Sequence, residues 1–326
     1  TVTTSVNGVT RADTSSFLSA APDPAYTQPT TRYISEHPPS VALMASDLAM
    51  LRPQPTHWPL VFMLTLMPLA IGAQLMAIVL PRLATYPASG RLVLLSVVAG
   101  ALGLAASVMH LGKPLRAWRI FLGWRTSWLS REAMVFGAWF PLALLTLLQP
   151  AWLPLAAGVG ACGLFCSMMI YIDTRRVFWR ATQTIPRLAG SALVLGAAAA
   201  FAVGLAPGMA AVLLAAATAV KLACDARVIR PLDGTDDETV PTPDLNTARL
   251  LGGPLRVLFR SRIIVALLAG VFLPALILAG KLPGVGVWWV FALVLLADFA
   301  ERVLFFRVVD APKMPGLPSA SGVQRS

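Results

Sequence analysis

Acidic residues are scarce in this chain of 326, with 15 Asp and Glu against 26 Lys and Arg, and charged side chains of either sign make up only 13%. A soluble domain carries nearer a quarter. Cysteine and histidine are scarcer still, at three each. Three cysteines cannot build a disulfide framework or bind an iron–sulfur cluster, so any such cluster belongs to a partner. Cys162 and Cys166 are four apart and share a helix face; they read as small packing residues, and Cys224 stands alone. The histidines are His37, His57 and His110. A transmembrane haem pair needs four axial histidines. His57 and His110 fall on one membrane face, which leaves room for at most one haem, and none is expected.

What the chain has is apolar length. Hydrophobic residues make up 57% of it, gathered into eight runs at 57–81, 91–111, 132–149, 151–172, 186–206, 208–224, 262–280 and 286–307. Each run suits a helix crossing ~30 Å of hydrocarbon at about 1.5 Å per residue, the sixth being short. The fold class is therefore all-α: a polytopic membrane protein with eight transmembrane helices. The organisation expected is an extended tail at 1–55, a membrane domain at 56–310 with a loop at 225–262, and a C-terminal tail at 311–326. The tail, rich in Thr, Ser and Pro, lacks the composition for a core. It also lacks the apolar segment of a cleaved signal peptide, so none is expected.

The net charge of +11 does not point to nucleic acid, because the basic residues sit between the apolar runs. With the N-terminus placed on one side, 22 of the 26 Lys and Arg fall on that side, three (Arg82, Arg91 and Lys281) fall opposite, and Lys221 lies within a run. The positive-inside rule then makes both termini cytoplasmic. A bacterial cytoplasmic (inner) membrane is the expected location, with lipid as the surroundings.

The segment from His110 to Glu132, HLGKPLRAWRIFLGWRTSWLSRE, is the densest in chemistry. Charge at a membrane boundary is costly unless it is used. Singly, its arginines are explained by topology, Trp118, Trp124 and Trp128 by the interfacial aromatic belt, and Glu132 by the dipole of the helix it opens. Together, a titratable His110, Arg116 and a membrane-facing Glu132 suit a quinone headgroup, whose carbonyls need donors and whose reduction needs two protons. Lys113, Trp118 and His57, a helix-start residue, fall near the same pocket. In the eighth run, DFAERVLFFR places Asp298 roughly 18 Å from the outer end, and Arg302 can pair with Asp298 or Glu301 on one helix face. These three read as a structural ion pair or as a pocket wall and proton path. Lys221 and Asp225, four apart, invite the same two readings.

HLGKPLRAWR followed by RTSWLSRE resembles the membrane-anchor subunits of dimethyl sulfoxide reductase-type enzymes, within the polysulfide reductase/NrfD-like superfamily. The likeness extends from HWPL at 57–60 to AERVLFF at 300–306. It implies an eight-helix, haem-free subunit exchanging electrons with quinone, either ubiquinone or menaquinone. It also implies two partners, a four-cluster ferredoxin-like subunit and a catalytic subunit with molybdopterin. The family's quinone-site His, Arg and Glu fall on His110, Arg116 and Glu132. In the dimethyl sulfoxide reductase prototype the catalytic subunits lie outside the cytoplasm, on the motif's side. Here the charge bias places that motif inside, as in the cytoplasm-facing sulfite dehydrogenases, whose anchors belong to this family.

The expectation is thus an anchor and quinone-reactive subunit passing electrons from a cytoplasmic iron–sulfur subunit to quinone, with sulfite as the leading substrate. Quinone would bind between the second, third and eighth helices and take its protons from the cytoplasm. A quinol-oxidising anchor of a terminal reductase is the second reading. A proton-conducting or solute transport protein is the third, though a transporter would place its polar groups nearer the midplane.

Overall fold

The structure, a computed structural model, describes residues 51–80, 86–109, 118, 120, 122–174, 176–230 and 243–309. Among these residues every regular element is a helix, with no strand. The long helices are α1 (Trp58–Val79), α2 (Tyr86–Met109), α3 (Trp128–Leu148), α4 (Leu153–Ile172), α5 (Ala181–Ala202) and α6 (Pro207–Ile229). A short α7 (Pro243–Gly252) precedes α8 (Arg256–Leu278) and α9 (Gly286–Arg307). Seven of them, all but α7 and α9, are long and apolar enough to cross a membrane. The eighth long helix, α9, has 22 residues but carries Asp298, Glu301 and Arg302 along its length.

Among the helix boundaries that differ from the sequence expectation, two fall among charged residues. The sixth helix is not short, because it runs on through Lys221 and Asp225 to Ile229. The seventh starts at Arg256 rather than 262. Lys221, Asp225 and Arg262 are buried in the bundle and paired, whereas Arg256 and Arg260 in the added turn of α8 are exposed. Arg187, Arg262 and Arg302 are all buried, so they are not loop charges. Without them the bias is still 19 against three.

The bundle is built around α1, which packs against α2, α4, α5 and α9. It meets α5 backbone to backbone. A Cβ added to Gly72 would lie 1.9 Å from the Ala192 carbonyl oxygen, and one added to Gly196 would lie 2.5 Å from the backbone of Gly72. With no hydrophobic effect to join helices in lipid, such close approach between small residues is what holds them. The other joint is Trp139 of α3, fully buried, its ring filling the space beside Gly100 of α2 and Gly160 of α4. Its indole N–H donates to Gln74 Oε1 of α1 at 3.1 Å.

Helix ends follow local rules. Ser127 caps α3 by accepting from the Ser130 N–H, and prolines open α1, α4 and α6, where a missing N–H costs nothing. Gly204 (φ 77) and Gly280 (φ 68) take the left-handed conformation after α5 and α8. Each lets the next N–H turn back, Leu205 to the Ala200 carbonyl and Lys281 to that of Leu276, both at 2.9 Å.

A candidate quinone cavity and a buried ionic cluster

A cavity of about 520 Å³ opens among α1, α2, α3 and α4 at the end where α2 finishes and α3 begins. Its walls are mainly apolar: Leu60, Met63 and Leu64 from α1, Leu104 and Val108 from α2, Phe136 from α3 and Ile170 from α4. Trp118 and Ile120, from the connection between α2 and α3, also face it. Its polar groups are Ser107, Glu132 and Tyr171, besides the indole of Trp118.

Glu132 lies one turn inside α3, because the helix begins at Trp128 rather than at Glu132. The dipole acts within the first turn, so it does not account for this acid. The carboxylate is buried and accepts a hydrogen bond from the Ser167 hydroxyl of α4. The preceding residue closes the loop: Arg131 donates to the carbonyls of Trp124 at 2.9 Å and Arg125 at 2.7 Å, and its guanidinium lies 4.2 Å from the Trp128 ring centre. Arg131 is thus a clasp for the turn that delivers Glu132 to the cavity.

Behind the cavity, Tyr171 meets Trp179 and Phe305, each with ring centres 5.0 Å away, and Phe306 at 5.9 Å. The Trp179 indole donates to the Phe305 carbonyl at 3.0 Å. His57 is the N-cap residue of α1 and packs edge-on against Phe306; it adjoins this aromatic wall but is not among the cavity-lining residues. His110, Lys113 and Arg116 lie outside the described residues.

Asp298, Glu301 and Arg302, expected as a pocket wall or proton path, do not line this cavity, whose lining comes from the first four helices and the connection between α2 and α3. They sit in a separate cluster made by α5, α6, α8 and α9. Arg302 pairs with Glu301 at 3.1 Å and reaches Asp298 only at 3.9 Å. Lys221 pairs not with Asp225 but with Asp298 and with Glu301, the latter at 2.9 Å. Asp225 instead takes Arg187, at 2.8 Å, and Arg262, which also pairs with Glu301. Ser191 of α5 donates to Asp298 and accepts from Lys221 at 2.7 Å. The rings of Phe178 and Phe305 cover the Arg187 and Arg302 guanidiniums at 5.2 and 5.6 Å. An isolated charge would be expensive here; a mutually paired set is the form in which charge persists inside a membrane.

Sequence reasoning missed Ser167 and Tyr171 at the cavity and the parts of Arg187 and Arg262 in the cluster, and gave Asp225 the wrong partner. A lone Ser or Tyr in an apolar helix carries no signal. The arginines did carry one: each lies within a turn or two of an apolar run.

Residues 54–308, which take in both the cavity and the cluster, match the family model of the DMSO reductase anchor subunit (DmsC). The chain belongs to that family. A DMSO reductase anchor subunit is a multi-pass membrane protein that anchors an oxidoreductase complex, which agrees with the helical bundle. A 33-residue stretch is 67% identical to a sulfite dehydrogenase subunit of Allochromatium vinosum, covering 10% of this chain and 10% of that protein. The chain thus matches only a small part of that relative's length. No solved structure matches it.

Proposed function

We propose that this anchor subunit is also the quinone-reactive subunit of a molybdopterin oxidoreductase. It passes electrons from a four-cluster ferredoxin-like subunit to membrane quinone, ubiquinone or menaquinone. The carrying observation is the 520 Å³ apolar cavity with one carboxylate, Glu132, in its wall. A quinone ring is flat and apolar, with two carbonyls; a cavity of this size and lining suits it, and a carboxylate that trades a proton is what the change to quinol requires. His110 follows two residues after Val108 in the chain, and Arg116 two before Trp118, so each is tied by sequence to a residue of the cavity wall.

In this reading α9 crosses the membrane too, giving eight spans. The 19-to-three charge bias supports both termini facing the cytoplasm of a bacterial inner membrane, the side on which the iron–sulfur and molybdopterin subunits would then dock. Sulfite oxidation is the substrate supported by the short likeness to a sulfite dehydrogenase subunit. The family description favours a second reading, in which quinol is oxidised for a terminal reductase.

The experiment is to purify the complex through a tag on this chain and assay it with sulfite and a soluble quinone. Co-purification of a molybdenum subunit, with sulfite-dependent quinone reduction lowered at least ~10²-fold by Glu132→Gln and by His110→Ala, supports the proposal. Quinol-driven sulfoxide reduction without sulfite oxidation supports the second reading. Purification of the chain alone, with no redox partner, overturns both and favours transport.

A further inference from the structure

At the end of the bundle opposite the candidate quinone cavity lies a second hollow, which the quinone reading does not use. It is a notch of about 160 Å³ between the starts of α2 and α9, floored by the close of α5. Each helix supplies an outer and an inner residue. Arg91 of α2 stands one turn outward of Leu95, Trp288 of α9 about one turn outward of Phe291, and Ala202 and Val203 about one turn outward of Ala199. Arg91 and Trp288 are exposed, Leu95 and Phe291 half-buried, and Ala199 and Ala202 buried. The alanines account for the hollow, because side chains this short leave the floor low between the two flanking helices.

The notch thus runs from polar to apolar along the bundle. Trp288 is followed by Trp289, also exposed, and outward-facing indoles gather at the level of lipid headgroups. Arg91 shares that level with Trp288, while Leu95 and Phe291 point the groove toward the hydrocarbon. The connections at this end (80–85, 149–152, 203–206 and 279–285) hold Arg82 and Lys281 but no Asp or Glu. Of the three helices of the notch only α9 contains acids. The first of them, Asp298, lies seven residues, about 10 Å, beyond Phe291, and is paired with Lys221. Among the described residues Arg91 forms no ion pair. Its counter-charge therefore comes from outside the chain. In a bilayer, the molecule that sets an anion at headgroup level above an apolar tail is a phospholipid, and a guanidinium matches its phosphate with paired N–H donors.

We propose that the notch is a phospholipid-binding site. Arg91 holds the phosphate, Trp288 lies beside the headgroup, and the first part of an acyl chain runs between Leu95 and Phe291 over Ala199. The remainder of the lipid lies in the bilayer. This inference is independent of the quinone reading and holds whichever side of the membrane this end faces.

The test strips the full chain of lipid in detergent and titrates it with phosphatidylglycerol, while native mass spectrometry counts the molecules bound. The expected result is one lipid whose affinity falls about 10-fold in Arg91→Gln, the loss of a charge-assisted contact. The same lipid should bind as in wild type in Arg260→Gln, which alters an exposed arginine at the other end of the bundle. Val203→Phe, which fills the groove and keeps the charge, should weaken that lipid as well. If Val203→Phe does not fold, Arg91→Gln decides alone, since Arg91 is exposed and its loss leaves the packing intact. Equal binding by wild type and Arg91→Gln overturns the proposal. So does displacement of the lipid by an equal concentration of inorganic phosphate, which would make the site one for a free anion. Association with a second copy in place of bound lipid overturns it too.

Discussion

Single contacts decide what Glu132 can do. The carboxylate is held by one side-chain donor, the Ser167 hydroxyl, so Ser167→Ala should free it to turn away without disturbing the apolar wall. The expected outcome is a complex that assembles normally with quinone turnover lowered about 5-fold, the effect of losing one hydrogen bond of ~1 kcal/mol; steady-state assay with a soluble quinone measures it. Trp139→Phe keeps an aromatic ring but removes the donor to Gln74 and part of the volume packed beside Gly100 and Gly160. It should cost about 1–3 kcal/mol, read as a lower melting temperature in detergent. Glu132 was legible in the sequence because an acid bordering an apolar run has few reasons to be there. Ser167 was not, since it lies 35 residues away and only the packing of α3 on α4 brings the two together. Lys221 and Asp298 were visible as charges in apolar runs, but their partners were hidden, because proximity to run ends made Arg187 and Arg262 read as topology.

Among the helices, each joint is made by a different device. Where α1 crosses α5 the device is glycine, so Gly72→Val should force the pair apart. A Cβ cannot occupy a point 1.9 Å from a carbonyl oxygen. The expected result is little or no folded chain in membrane extracts, seen as loss of the monodisperse peak of a fluorescent fusion, while Gly158→Val, in open space, leaves it intact. Where α5, α6, α8 and α9 meet, the device is charge. Arg262→Met removes the group that links Asp225 to Glu301, leaving Asp225 with Arg187 and Glu301 with Lys221 and Arg302. Breaking such a buried set costs about 3–5 kcal/mol, so thermal unfolding should shift further for this variant than for Arg180→Ala, whose pair with Asp244 is about half exposed and worth little. These joints explain why the existence of the helices was legible and two of their boundaries were not. Hydropathy marks where a helix meets lipid, whereas α6 continues through the buried, paired Lys221 and Asp225.

For the whole molecule, one end of the bundle gathers the connections. Around the close of α9, the Gln54 N–H donates to the Arg307 carbonyl at 3.0 Å, Thr247 of α7 to that of Val308 at 3.2 Å, and Trp179 to that of Phe305. The approach to α1, the α4–α5 connection and α7 therefore share a face with the mouth of the candidate quinone cavity, and in the proposed reading a partner delivering electrons docks there. Which side of the membrane this is rests on the charge bias, and whether α9 crosses rests on its charges being paired. Both are settled by labelling single cysteines in intact cells, with Cys162, Cys166 and Cys224 replaced by Ala. Lys281→Cys, between α8 and α9, should react with an impermeant maleimide from outside. Gly253→Cys and Arg325→Cys should react only after the cells are opened. Reaction of Arg325→Cys together with Lys281→Cys would mean that α9 returns to the side it started from, leaving seven spans. Reaction of Gly253→Cys in intact cells would turn the whole bundle over, and with it the side from which the iron–sulfur partner reaches Glu132.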